Sequence, residues 1–335
     1  MSRSFEALLA RAGWQDAQRA WLVADASFRR YCRLTLNGAT RLLMDAPPDR
    51  EDVRAYMAIA QHLRARGLSA PEVFAADPAQ GYLLIEDFGP RTYNRALAER
   101  PGDALGLYTR AVDVLAVLHQ APAPDQLLLP NGTTWPLPRY DPDLIADHVS
   151  LFGQWYLPAI GRDPQAAAAI EAAVTAQAPV PARPVLCLRD YHIDNLMVLP
   201  NRSEVAAVGL LDFQDAVAGH PAYDLMSLVE DARHDVAEAD RLIRHYLTRT
   251  GQAEEPFRRA FARWGMVRHL RILGTFARLW RRDGKDRYLQ HIPRVWRHLD
   301  RAVEAAGETA LQKALAQLVP AEQRRLPLTP PPSEL

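Results

Sequence analysis

Three residues raise the question of chemistry in this chain. Asp190 stands in "LRDYHIDN" (Leu188–Asn195), and Asn195 follows it five residues later. Asp212 comes seventeen residues after that, at the end of the apolar run "VGLLD". A carboxylate leaving an apolar strand is placed to orient a hydroxyl and accept its proton. An amide oxygen and a second carboxylate are hard donors of the kind that hold magnesium. Phosphoryl transfer needs both and asks for little other covalent chemistry. If "LMVLP" (Leu196–Pro200) pairs with "VGLLD" as a returning ribbon, Asn195 and Asp212 reach one cation. A lone aspartate after a strand is ordinarily a turn or cap residue; the joint spacing of the three sets them apart.

The elements that must position these groups follow from local patterns. The 335 residues suffice for two lobes or one large domain. At 48% hydrophobic and 24% charged, the composition is that of a globular protein. Forty basic residues balance forty acidic ones, so no global field calls for nucleic acid or an anionic membrane. Cys32 and Cys187 lie far apart without metal-ligand spacing, as expected in a reducing compartment. The start carries no secretory pattern, and no apolar run reaches about 18 residues, so a cytoplasmic location is expected.

The first ninety residues read as a small α+β unit. "SFEALLARAG" (Ser4–Gly13) is a short amphipathic helix that stops at glycine. "YCRLTL" (Tyr31–Leu36), the turn "NGA" and "TRLLMDA" (Thr40–Ala46) form a hairpin. A helix covers Arg50–Gly67, and a second hairpin covers Pro71–Gly89 around "PAQG". From Arg91 onward helical patterns dominate, at roughly Ala104–Gln120, Asp141–Phe152, Pro164–Ala178, Ala222–Ala232, Val236–Arg249, Glu255–Arg282 and Pro293–Ala306. Ala121–Pro138 is proline-rich and reads as a long surface loop, and the tail from about residue 323 to 335 reads as disordered. Short apolar strands are expected at Pro184–Leu188 and Ala206–Phe213.

"LRDYHIDNLMVL" resembles the catalytic loop of the aminoglycoside phosphotransferase family, relatives of protein kinases, and "LLDFQDA" resembles its metal-binding strand end. The resemblance spans about Ala24 to Val303. It implies a two-lobed, protein-kinase-like α+β fold, with a small antiparallel-sheet lobe (residues 1–89), a hinge at about 86–90 and a mostly helical lobe (residues 91–322). It implies Asp190 as base, Asn195 and Asp212 as magnesium ligands, and ATP with its adenine on the backbone of Glu86, Asp87 and Phe88 in "LLIEDFG". It also implies that Asp224 in "PAYDLMSLVED" braces the loop. "ADASFRRYCRL", "MDAPPDRED", "RDYHIDNLM" and "LGTFARLWRRDGKDRYLQHIPRV" together are similar to one branch of the family. That branch phosphorylates the anomeric hydroxyl of N-acetylmuramate and N-acetylglucosamine in peptidoglycan recycling.

The sequence departs from the family in three places. The third strand, "RLLMDA", has Met44 and no lysine to hold phosphates, so Arg29 or Arg30 is the candidate replacement. The phosphate-covering turn "DASF" contains no glycine, which leaves Ser27, Phe28 and backbone amides to do the binding. Leu188 stands where the kinase pattern has histidine.

A stripe of Arg268, Arg271, Thr275, Arg278 and Arg282 runs along one side of an otherwise apolar helix, at about 100° per residue. Arg268 and Arg271 are candidate grips for a sugar carboxylate; the alternative is pairing with acidic neighbours or water. His192, Asp194 and Asp215 are candidate sugar contacts, and each equally suits a local loop bond. Three other functions stay open: a kinase for an aminoglycoside or other small alcohol, an inactive ATP-binding kinase-like module, and an interaction protein.

Overall fold

The computed structural model describes residues 4–23 and 28–325. The chain divides into two compact units. One gathers residues up to Gln120, Pro124–Pro138 and Leu188–Val217; the other gathers Ala121–Ala123, Arg139–Cys187 and the chain from Ala218.

The first unit is built on a five-stranded antiparallel sheet. Its strands are β1 (Gln18–Trp21), β2 (Arg30–Leu36), β3 (Ala39–Asp45), β4 (Val73–Asp77) and β5 (Tyr82–Glu86), in spatial order β1-β2-β3-β5-β4. The β2–β3 turn puts Asn37 (φ 50°) and Gly38 (φ 80°) in the left-handed region, so the tight "NG" turn closes as its residues dictate. β1 was not expected. All four of its residues are exposed, and main-chain pairing to β2 holds it, so no alternation of apolar residues marks it. Helix α1 (Glu6–Arg11) closes one face of the sheet with Leu8 and Leu9 over Cys32, Leu34, Leu43 and Leu84. Helix α2 (Val53–Ala65) begins three residues later than expected, because the Asp52 carboxylate accepts from the Arg54 N–H at 2.9 Å and caps it.

Two helices follow, α3 (Tyr93–Glu99), which was not expected, and α4 (Ala104–Leu118). The Thr92 hydroxyl caps α3 by accepting from Arg95 N–H. The segment read as a loop contains a short hairpin, β6 (Gln126–Leu128) with β7 (Thr134–Pro136). Strand β8 (Val185–Cys187) belongs to the second unit. The chain then returns to the first unit with β9 (Leu196–Val198) and β10 (Val208–Leu210), which pair antiparallel as Leu196↔Leu210, Met197↔Gly209 and Val198↔Val208. Gly209 is required here: a Cβ at that position would lie 2.8 Å from the Phe88 ring and 2.9 Å from Met197 Cβ.

The second unit is mostly helical: α5 (Pro142–Leu151), a π-helical turn (Phe152–Tyr156), α6 (Leu157–Ala159), α7 (Ala168–Gln177), α8 (Ala222–Val229), α9 (Ala239–Thr250), α10 (Glu254–Asp283), α11 (Ile292–Ala305), α12 (Thr309–Leu318) and α13 (Ala321–Arg325). Gly274 lets α10 cross the end of α5 closely, since a Cβ there would meet Leu151 O at 2.2 Å. The Trp296 indole donates to Tyr156 Oη at 2.8 Å, joining α11 to the π turn. The expected tail begins too early: Arg324 is buried, pairs with Asp300 and donates to Val319 O at 2.7 Å. Residues 326–335 lie outside the described residues.

Buried histidines in this unit make its stability depend on pH. His269 Nε2 meets Glu230 at 2.7 Å and stacks on His298, whose Nδ1 accepts from Arg301. His220 Nδ1 accepts from Ala222 N–H at 3.1 Å. Burial pushes His298 down to about 2, helped by His269 and three arginines, and burial pushes His220 down to about 4. Both therefore stay neutral in the folded chain below pH 6.5, while the unfolded chain takes up protons. Stability should fall as pH drops from about 6.5, by roughly 1.4 kcal/mol per pH unit for each histidine. Thermal denaturation at pH 7, 6 and 5 checks this. His220→Asn, which keeps an acceptor for Ala222, should flatten the slope by its share; a melting temperature constant from pH 7 to 5 is the contrary result.

Candidate active site

The loop at residues 188–195 is shaped by its backbone. Asp190 N–H donates to Leu188 O at 2.9 Å across Arg189, whose φ is 71°. A non-glycine residue in this region costs energy and persists only where its surroundings enforce it. Here the Arg189 guanidinium donates to Asp215 O at 3.0 Å, and the Tyr191 hydroxyl pins the loop to α4 through Ala111 O at 2.8 Å. Asn195 closes the loop by donating its Nδ2 to Asp190 O at 2.9 Å. That bond commits the amide nitrogen and leaves Oδ1 as the atom Asn195 can offer to a ligand.

The ribbon β9–β10 then performs the expected return. Leu211 N–H donates to Asn195 O at 3.0 Å, so the residue after β10 is tied to the residue before β9. Asp212 lies two residues beyond the end of β10 and has φ 56°, a turn that redirects its side chain. Asn195 and Asp212 line one cavity of about 540 Å³. Its other walls are Leu22, Tyr31, Leu42, Tyr56, Ile85 and Met197, with the segment 86–90 along one edge. The apolar walls suit a flat ring, and the polar end carries Asn195, Asp212 and Arg29.

Asp212 Oδ1 accepts from Arg29 at 2.8 Å and from Gln214 Nε2 at 3.0 Å. Arg29 Nε also approaches Glu51 at 3.5 Å. Burial works against the Arg29 charge, but Tyr31, Asp212, Glu51 and Asp215 together hold it above its ordinary range. Of the two arginines that are candidates to replace a third-strand lysine, Arg29 faces the cavity. Arg30 pairs with Asp45 and lies over the exposed Trp21 ring. Met44 is buried in β3 opposite Tyr31.

At the 86–90 segment the side chains are occupied and point to roles in shaping the turn. Glu86 pairs with Arg202 and lies 3.6 Å from Arg64. Asp87 accepts from Arg33 at 2.6 and 3.1 Å and from Gly89 N–H at 2.9 Å. Burial alone would raise the Asp87 carboxyl, but these donors hold it below the usual range. Phe88 packs against Gly209 beneath the Arg202 guanidinium. Phe28 is exposed beneath Arg50 and stands outside the cavity lining. Ser27 lies outside the described residues.

The remaining candidates are placed as follows. Asp194 accepts from Asn94 at 2.6 Å and lies 3.9 Å from His192 Nδ1. His192 is buried, with Nε2 3.4 Å from the Asn195 amide. Asp215 takes the Arg189 bond on its backbone. Arg268 and Arg271 belong to α10 in the second unit, where both engage Tyr223. Arg268 is buried, 5.9 Å from the ring centroid, and Arg271 donates to the hydroxyl at 3.2 Å. Asp224 is fully buried in the first turn of α8. Sequence reasoning missed Glu51, Tyr56 and Asn94. Their signal is weak, because each reaches the site only through the packing of the segment that leads into α2 (Glu51), of α2 itself (Tyr56) or of α3 (Asn94).

The donor set fits a hard dication: an amide oxygen and a carboxylate, with no thiolate or imidazole at the polar end of the cavity lining. Residues 22–262 match the phosphotransferase enzyme family. The chain belongs to this family. The phosphotransferase is 38% identical to an N-acetylmuramate/N-acetylglucosamine kinase of Caulobacter vibrioides, over 95% of this chain and 97% of the relative. A protein of the same name from Pseudomonas aeruginosa is 33% identical, covering 93% and 92%. A choline/ethanolamine kinase family protein from Mesorhizobium loti has a similar structure, with a TM-score of 0.57 at 17% identity, covering 93% and 97%. The phosphotransferase therefore has the protein-kinase-like α+β fold: a five-stranded antiparallel sheet and a mostly helical remainder. Among the described residues no helix is long and apolar enough to cross a membrane.

Proposed function

We propose that this phosphotransferase moves the γ-phosphoryl group of ATP to the anomeric hydroxyl of N-acetylmuramate, N-acetylglucosamine or both, in cell-wall recycling in the cytoplasm. What carries the reading is the near full-length likeness to relatives of that name; it is supported by the Asn195 bond to the Asp190 backbone and by the cavity that Asn195 and Asp212 both line. In this reading residues 86–90 are the hinge between a lobe of residues 1–89 and the helical lobe, and their backbone receives adenine. The apolar walls of the 540 Å³ cavity clasp the base, and Arg29 faces the phosphates.

Asp190 orients the sugar hydroxyl and accepts its proton as the oxygen attacks the γ-phosphorus. The bond from phosphorus to the bridging oxygen breaks and ADP leaves. Asn195 Oδ1 and Asp212 would hold magnesium, whose contribution when bound is to neutralise charge on the transferring group. Arg268 and Arg271 remain the candidate grips for the lactyl carboxylate, with His192, Asp194 and Asp215 as candidate hydroxyl contacts. The test is a panel of amino sugars, aminoglycosides and small alcohols with ATP and magnesium, the product being read by ³¹P and ¹H NMR. A sugar 1-phosphate is expected. Phosphate on the C6 hydroxyl, or product only from a non-sugar acceptor, would overturn the assignment.

A further inference from the structure

The polar end of the cavity holds a competition. Asp212 is a proposed metal ligand, yet its Oδ1 already accepts from Arg29 at 2.8 Å. The same guanidinium reaches Glu51 at 3.5 Å through Nε, and its side chain is only 9% exposed. One cation therefore lies between two carboxylates at the place where a dication would join Asp212. The other arginine on this wall, Arg33, is committed to Asp87 by two bonds. A further group at this wall is without a partner. The hydroxyl of Tyr56 is buried with no hydrogen-bond partner among the described residues, on a side chain that lines the cavity. An unsatisfied buried hydroxyl is costly unless a ligand completes it.

We propose that Arg29 is an exchangeable cation: it neutralises Asp212 before nucleotide arrives, and it passes to the phosphates, beside the Tyr56 hydroxyl, once metal takes Asp212. The proposal rests on the nucleotide and metal reading above. A dication on Asp212 repels a guanidinium held on the same carboxylate, and that repulsion drives Arg29 off Oδ1. Glu51 keeps it tethered within the cavity, where the arriving polyphosphate is the anion that can receive it. The chain thereby supplies the phosphate cation from the entry to β2, where β3 carries Met44.

The test measures binding, with no acceptor present. Mn²⁺ affinity is followed by electron paramagnetic resonance on the nucleotide-free protein, and ATP affinity by calorimetry. The full chain is compared with Arg29→Met, Arg29→Lys and Asp212→Asn, with folding checked by circular dichroism. Arg29→Met should bind Mn²⁺ about tenfold tighter, because its competitor is gone, and bind ATP at least about tenfold more weakly. Arg29→Lys should fall between Arg29→Met and the unaltered chain in both. If folded Arg29→Met and Arg29→Lys bind Mn²⁺ no tighter, or keep full ATP affinity, Arg29 is a fixed clamp and the exchange is wrong. Unchanged Mn²⁺ binding in Asp212→Asn would instead overturn the metal reading itself, and the exchange with it.

Discussion

Asp190→Ala is expected to lower kcat by about a hundred- to ten-thousand-fold while leaving ATP affinity nearly unchanged. The bonds that shape the loop run through the backbone of residue 190: its N–H to Leu188 O and its carbonyl from Asn195 Nδ2. The loop is further anchored by Tyr191 on Ala111 and by Arg189 on Asp215. None of these needs the Asp190 carboxylate, so its removal should delete proton acceptance and hydroxyl orientation without dismantling the loop. Steady-state kinetics with saturating acceptor, paired with calorimetric ATP binding, separate the two effects. Turnover within tenfold of the unaltered chain would remove Asp190 from its role. Lost ATP binding in a folded variant would mean that the carboxylate shapes the cavity instead.

Asp212→Asn is expected to reduce kcat/KM by about a hundred- to a thousand-fold and to raise the magnesium concentration needed for half-maximal rate. Asparagine is the informative replacement because residue 212 has φ 56°, and asparagine tolerates the left-handed region where alanine is strained. The turn after β10 should therefore persist, with only the charge removed. Arg29 and Gln214 lose an anionic acceptor, which separates a lost metal ligand from a lost fold: the melting temperature should move little, and the magnesium dependence should move greatly. An unchanged magnesium dependence would place the ion elsewhere.

These two outcomes depend on residues the sequence marked by spacing alone. The 188–195 loop and the returning ribbon are local: Asn195 and Asp212 flank the β9–β10 ribbon, whose connection runs through residues 199–207, and apolar runs bounded by polar residues announce both strands. The same holds for the "NG" turn of β2–β3 and for the helix that Gly67 follows. In each case the information lies in adjacent residues, through φ preferences and burial on one face.

Other features depend on what lies across the packing. β1 exists because β2 offers a free edge; its own residues are all exposed and carry no strand pattern. Nothing within "FRRY" says which arginine enters the cavity. That choice follows from Arg29 meeting Asp212, 183 residues away, and Arg30 meeting Asp45. Asp194 is committed by Asn94, 100 residues earlier. Arg268 is buried, and its guanidinium lies over the Tyr223 ring, as a helical wheel cannot show. The sequence by itself determined the β2–β3 and β4–β5 hairpins, helix α2 and the spacing of Asp190, Asn195 and Asp212, because periodicity, turn chemistry and short spacings are properties of neighbouring residues. Only the tertiary structure decided which charges meet, because a side chain's partner is set by what the fold brings within about 3 Å of it, however distant in the chain.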